Sequence, residues 1–415
     1  MKKLFALLLT LAFLLVPLSV NAEDKYFSDE QIEYYKNLGL QGTSVNVYNW
    51  GDYISDGSED YMDAVGEFER LTGATVNYTN FESNENMYSK LVGGGASYDV
   101  IVPSDYMIER LIDEDMLLKL DYNNIPNMKY IDPEFLNLFY DPDQLYTVPF
   151  NINSTVLIYN TALVDEEPDS WSVLWDEQYR GKVLMFNNSR DAFAIAQALL
   201  GQDFNTTNEQ DWVNAAQLLA EQKDKVNPVY VMDEVFNLME SGEYAFATYY
   251  GGDYLLMVEN NEDLAYCFPK EGVNRFYDAF CVPTCCQNKK GAEAFINFMH
   301  EPEVAFDNAE FISYRSPNIT VEENEESSLY GEEVIYGELP NEQVFRNLPQ
   351  NIIELENTLW TQVKSGKLSV SNHEQNVKIY TECAVIGGAV VLVVIAKLIS
   401  NKKKSKEQDL TDLYD

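Results

Sequence analysis

The chain has 415 residues, with 28 basic and 68 acidic side chains and a formal net charge of −40. A surface that acidic repels nucleic acid and anionic lipid headgroups and gathers cations. A chain of this length is too long for one hydrophobic core and predicts two domains.

Residues 1–22 carry Lys2 and Lys3, a Leu-rich apolar run and the small-residue exit Val20-Asn21-Ala22, the layout of a secretory signal peptide. The mature chain is then expected to work outside the cytoplasm. Its first cysteine is Cys267, so a lipid-bearing cysteine at the cleavage point is absent. Residues 23–43 read as a polar N-terminal spacer with a weak helical patch around 32–38 and no site.

Val45 and Val47 mark a short strand that breaks at Asn49, Trp50 and Gly51, presenting Trp50, Asp52 and Tyr53 together. An aromatic face attracts an organic cation and a nearby carboxylate supplies the countercharge, which is the chemistry of an amine receptor. A core Trp beside a solvated Asp is the plainer account of the same residues. Ser58 predicts the cap of a helix with Met62, Val65, Phe68 and Leu71 on its apolar face, ending at Gly73. A strand over 75–78 follows, then a helix capped by Ser83 that runs through Met87 and Leu91 to Gly93. Residues 98–102 form a third strand, entering Pro103-Ser104-Asp105-Tyr106 and a helix with Ile108, Leu111 and Ile112. This repeat of strand, turn and helix predicts an α/β domain whose ligand sits at the carboxyl ends of the strands. Trp50, Asp52, Ser104, Asp105 and Tyr106 all fall there. Asp105 occupies a first helical turn, where the dipole favours its ionised form; stabilising that helix accounts for it equally well.

Residues 146–159 contain Pro149 and then a hydrophobic strand over 154–159, which reads as a crossing into a second domain. A helix begins at 171–175, and a strand over 182–186 delivers Asn187-Asn188-Ser189-Arg190-Asp191 at its end. Asp191 is either a ligand carboxylate or a first-turn acid. Strands follow over 243–250, ending in Gly251-Gly252-Asp253, and over 264–268. A strand over 275–282 holds Phe276, Tyr277 and Asp278. An acid inside an apolar run needs a cation, a cage of hydrogen-bond donors or a raised pKa, and the aromatic neighbours of Asp278 favour a ligand ammonium. Cys267, Cys281, Cys285 and Cys286 permit disulfides in any of three connectivities. They lack a CxxC pair, and His300 and His373 lie far apart, so neither a metal nor another cofactor is expected.

Residues 383–399 are apolar apart from Lys397 and precede Lys402, Lys403, Lys404 and Lys406. About seventeen residues is the lower limit for a membrane-spanning helix, and the basic flank places residues 400–415 in the cytosol. The expected protein is single-pass at the cell membrane, with residues 367–382 as a linker and the binding domain outside. A hydrophobic helix buried in the fold is the competing account.

The ordered series Tyr48-Asn49-Trp50, Phe81-Glu82-Ser83-Asn84, Tyr98-Asp99-Val100-Ile101-Val102-Pro103-Ser104, Pro269-Lys270-Glu271-Gly272 and Ser316-Pro317-Asn318 resembles one family. It is that of the polyamine-binding proteins of ABC transporters, the spermidine/putrescine family of extracellular solute-binding proteins, and the likeness runs over about 44–365. The resemblance implies an α/β, type II periplasmic-binding-protein-like fold of two lobes that close on a polyamine and deliver it to a permease. It implies one lobe from 44–149 and 277–322 and another from 150–276 and 323–366. It further implies aromatic walls at Trp50, Tyr53, Tyr106, Tyr249, Phe276 and Tyr314, acids at Asp52, Asp191 and Asp278, and a polar contact at Ser104. The sequence departs from the family at Asn188, where an acid is often found, and Asp105 beside Ser104 is placed to restore it. Tyr249 and Phe276 stand where Trp is frequent, and Asn151-Ile152-Asn153 replaces a Trp-Gly pair. Arg346 falls where the family can use a neutral amide; its charge opposes a third ammonium and tilts the expected ligand from spermidine towards putrescine. One rival is a hydrolase with paired carboxylates, such as a glycosidase, which requires one poised dyad rather than acids on separate strand ends. A receptor for another cation, such as a betaine or a metal, is the other, and it predicts aromatics without acids or acids without aromatics.

Overall fold

The computed structural model describes residues 24–58, 60–95 and 97–368. The expected signal peptide and the apolar segment 383–399 lie outside these residues, and no helix among the described residues is long and apolar enough to cross a membrane.

Three parallel strands, β1 (Ser44–Asn49), β2 (Thr75–Asn80) and β3 (Val100–Ile101), are each followed by a helix. Alternation sends Val45 and Val47 into a cluster with Phe68, Phe295 and Phe298, and Tyr48 into another with Phe81, Ile108 and Leu111. Ser83 caps its helix as expected. The preceding helix is capped by Asp63 instead of Ser58, whose own N–H is held by Asp56 in a bend. Gly73 ends that helix at φ 69°, a left-handed conformation that glycine adopts without strain.

The chain then runs through β4 (Thr147–Asn160), β5 (Val183–Phe186), β6 (Val229–Val231), β7 (Phe246–Tyr250), β8 (Leu264–Cys267) and β9 (Arg275–Cys281). All fourteen residues of β4 are buried. Its first part pairs antiparallel with β9, which pairs in turn with β3; its second part pairs with β7 and β8. Eight strands therefore follow the order β2-β1-β3-β9-β4-β7-β5-β6, with β8 on β4. Trp171, Phe186, Phe193, Trp212 and Phe246 fill a second core, to which Ile352 and Leu359 of the helix Gln350–Ser365 also belong. β4 links the two cores, giving Val148 and Phe150 to the first and Val156, Leu157, Ile158 and Tyr159 to the second. Residues 171–175 form a 3₁₀ turn rather than the start of an α-helix, with the Trp171 indole donating to Gly272 O at 2.9 Å.

Two expectations are corrected. The four described cysteines are free thiols: Cys267 lies on β8 in one core, while Cys281 is buried on β9 in the other. Residues 24–43 are no spacer. A capping box between Ser28 and Gln31 starts the helix Asp29–Lys36, and Phe27, Tyr35 and Leu40 enter the core beside Phe298. The buried Tyr35 phenol donates to Glu301 at 2.6 Å and accepts from the Asn297 amide at 2.8 Å. Tyr35→Phe leaves both groups short of a partner and is expected to lower unfolding stability by roughly 1–3 kcal/mol, read from the denaturant midpoint. An unchanged midpoint would show that this segment adds nothing to the fold.

Candidate functional site

The carboxyl ends of β1 and β3 and the middle of β9 converge on Asp278. Its carboxylate is 2 % exposed, and Asp278 bridges the backbone of Ser104, which opens the helix Asp105–Asp113. The Tyr53 phenol donates to Oδ2, while Oδ1 has no hydrogen-bond partner among the described residues. Burial pushes the Asp278 carboxyl up to about 6 against the opposing pull of the Ser104 and Tyr53 hydroxyls. Its hydrogen-bond cage is thus half built.

Asp105 departs from the expectation that the helix dipole keeps it ionised. It is fully buried, accepts from the N–H groups of Tyr106 (2.7 Å) and Tyr277 (3.3 Å), and is raised well above the usual carboxylate range. Desolvation is the largest cause, and the nearby Asp278 charge adds to it. Tyr106 donates to Glu85 Oε1 at 2.8 Å and sets its ring edge-on to Phe345.

The second core contributes from β5 and β7. Asn188 caps the helix Ser189–Leu199, and its amide donates to Asp191 at 2.7 Å. The Tyr250 phenol reaches the same carboxylate at 3.3 Å. Burial lifts Asp191 to about 7. Tyr249 lies deeper, 4 % exposed, stacked on Phe186 and donating to Asp233 at 2.9 Å. Asp253 opens the helix Gly251–Asn260, accepts from Tyr314 at 2.7 Å and stands at about 7, again mainly through loss of water. A Cβ on Gly252 would come within 2.3 Å of Ser313 O and 2.4 Å of the Tyr314 ring, so only glycine lets this helix start so close to Tyr314. Rings run without a break from Tyr53 to Tyr314, Phe276 and Tyr250, with centroids 5.6, 6.2 and 5.1 Å apart.

The Arg190 guanidinium is a cation close to Asp105 and Asp191. It is 4 % exposed, donates to Asn205 at 2.9 Å, and lies over the rings of Phe345 and Trp212. Glu356 stands 4.0 Å away and is itself raised to about 7 by burial.

Three expected residues lie apart from this cluster. Trp50 packs on Phe81 and donates its indole N–H to Val102 O at 2.9 Å. Asp52 is exposed, at φ 46°. Arg346 does not project its charge into the cluster: its guanidinium pairs with Glu109 and covers the Phe139 ring. Conversely, Asp253, Tyr250 and Glu85 join the site although the sequence reading passed over them. The Gly251-Gly252-Asp253 end of β7 was the available signal for Asp253.

The fold is a mixed α/β fold of the periplasmic-binding-protein kind, in which buried acids and aromatic rings from several segments lie near one another. The model of the bacterial extracellular solute-binding protein family matches residues 63–332. A spermidine/putrescine-binding periplasmic protein of Salmonella typhimurium is 32 % identical over 281 residues, spanning 66 % of this chain and 78 % of that protein. Among solved structures, a spermidine/putrescine ABC transporter chain from Listeria monocytogenes superposes with a TM-score of 0.73 at 32 % identity, covering 78 % of this chain and 99 % of that one. The substrate-binding protein PotD of Streptococcus pneumoniae gives 0.65 at 31 % identity, with coverage of 79 % and 100 %. The chain belongs to the spermidine/putrescine-binding family of extracellular solute-binding proteins.

The raised carboxyls make stability depend on pH. Asp278, Asp191 and Asp253 bind protons more tightly folded than at their ordinary 3.8, so the stability they lend is complete below about pH 4 and is lost as pH rises through 6 to 7. Without added amine, the melting temperature is expected to be several degrees higher at pH 5 than at pH 8, and Asp191→Asn should flatten the slope. A melting temperature that climbs from pH 5 to pH 8 would refute this.

Proposed function

We propose that this chain captures a linear polyamine between its lobes and passes it to the permease of an ABC transporter. The observation that carries the reading is Asp278: a buried carboxylate with one oxygen that no described residue donates to, next to the Tyr53, Tyr314 and Phe276 rings. An ammonium completes that cage, and methylenes lie against the rings. Asp191 and Asp253 supply further countercharges from the opposite lobe, so one ligand ties both lobes together. Ser104, Tyr106 and Tyr250 complete the proposed contacts, with Tyr249 backing the walls. We assign 44–149 and 277–322, together with 24–43, to the first lobe and 150–276 with 323–366 to the second.

The charge count now favours a longer amine than the sequence suggested. Arg346 is neutralised by Glu109, and Asp253 adds an acid that the earlier count omitted. Calorimetry is expected to show heat with both putrescine and spermidine, spermidine binding at least as tightly. Asp278→Asn should weaken either by on the order of 3 kcal/mol, because an ammonium is left without its countercharge. No heat and no thermal shift with either amine would end the polyamine reading.

The export signal at 1–22 and the apolar segment 383–399 lead us to place the lobes outside the cell, tethered through their carboxyl end. In a host without an outer membrane, the full chain should sediment with membranes through a high-salt wash, and a chain stopped before Cys383 should reach the medium. Salt release of the full chain would rule out a spanning anchor.

A further inference from the structure

We infer that residues 343–347 form a strap, anchored on the second lobe and gripping the first, that sets how long the cleft stays shut. The anchor is a set of hydrogen bonds on the second-lobe side. Phe204 N–H donates to Gln343 Oε1 at 3.0 Å, and the Asn205 amide donates to Val344 O at 2.8 Å. Asn205 Oδ1 accepts from Arg346 N–H at 2.7 Å, and the Arg190 guanidinium reaches Arg346 O at 3.3 Å.

The grip falls on the helix Asp105–Asp113, whose first turn carries Asp105 and Tyr106. Glu109 takes the Arg346 guanidinium on both oxygens, Nε lying 3.1 Å from Oε2, and accepts the Asn347 N–H at 2.7 Å as well. The Asn347 amide donates to Asp113 at 3.0 Å, and the Arg346 guanidinium sits 4.7 Å from the Phe139 ring centroid. Four contacts thus converge on one lobe from a segment fixed to the other. Between anchor and grip, Phe345 meets the Tyr106 ring edge-on.

Two consequences separate a clasp from a ligand contact. The Arg346 side chain is 45 % exposed and Glu109 17 %, so the pair lies at the rim, where salt screens it. A contact formed only on closure slows opening and hardly alters encounter, so its loss appears in the rate of release. Arg346 and Glu109 are therefore positioning residues, acting through closure rather than by touching the amine. The effect on amine release rests on the polyamine reading; closure itself does not.

Hydrogen exchange on the full-length chain without amine tests the clasp directly. In R346Q and E109Q, peptides spanning 104–106, 249–253 and 276–278 should exchange faster, while the core helix Glu209–Val226 is unchanged. The effect of the E109Q/R346Q double variant should fall clearly short of the sum of the singles, since both remove the same ion pair. Raising salt from about 0.05 to 0.5 M should speed cleft exchange in the wild type and not in the variants. With putrescine or spermidine present, release should quicken about three- to tenfold, with association nearly constant. If neither amine binds the wild type, the polyamine reading falls and the exchange result still decides the clasp. Unchanged cleft exchange in R346Q, or singles whose effects add in the double variant, would overturn it.

Discussion

A carboxylate withdrawn from water must find a proton, a cation or enough donors to replace its hydration, and the described residues offer the buried acids here too few of the last two. Asp278, Asp191, Asp253 and Glu356 all hold protons more tightly than free carboxylates, with burial as the leading cause in each. Arg190 offsets part of this, yet it is already committed to Asn205, Glu356 and aromatic faces. The remaining deficit of positive charge is a property of the folded shape. A flexible polycation relieves it at several points at once, whereas a single metal ion would need the acids gathered at one point, and no such cluster occurs among the described residues. The acidic surface adds to this from a distance by concentrating cations around the protein.

Much of the architecture was legible because its signals are local. The apolar spacing around Phe68 and Leu71, Gly73 as a stop and Ser83 as a cap each act within a few residues, and each element formed within a few residues of its expected place. β4 was only half legible. Pro149, Asn151 and Asn153 disguise its first part, and the structure absorbs Pro149 with a register shift between Pro149 and Asn151 while burying both asparagines against β9. The N-terminal segment was misjudged because its three anchoring side chains, Phe27, Tyr35 and Leu40, are spread through polar sequence and find their partners near Phe298.

The site divides along the same line. Ser104 and Asp278 could be found because one sits at a strand end and the other interrupts an apolar run. Glu85 could not, since it joins the site through Tyr106, supplied by another segment; Asp253 had a local signal in the Gly251-Gly252-Asp253 strand end, but its place in the site depends on Tyr314. Arg346 shows the limit most clearly. The sequence set Arg346 among the ligand contacts, but the direction of its side chain depends on Glu109, which lies far away in sequence on the helix Asp105–Asp113. Charge counts made from sequence are sound for the whole molecule and unsafe for a cleft, where one partner reverses a residue's effect.

The pairing of β3 with β9, Ile101 opposite Cys281, has a bearing on how the protein comes into being. A ribosome releases β1, β2 and β3 long before β9, so the amino-terminal sheet lacks its neighbour until about two-thirds of the chain has been made. The second body is contiguous from β5 to β8 and can assemble earlier, but its helix Gln350–Ser365 arrives later still. Neither half can mature alone during synthesis, and distant pairings of this kind form slowly. A polypeptide that must thread a translocation pore as an open strand is served by such a delay, because its stable shape becomes available only once nearly all of it is present.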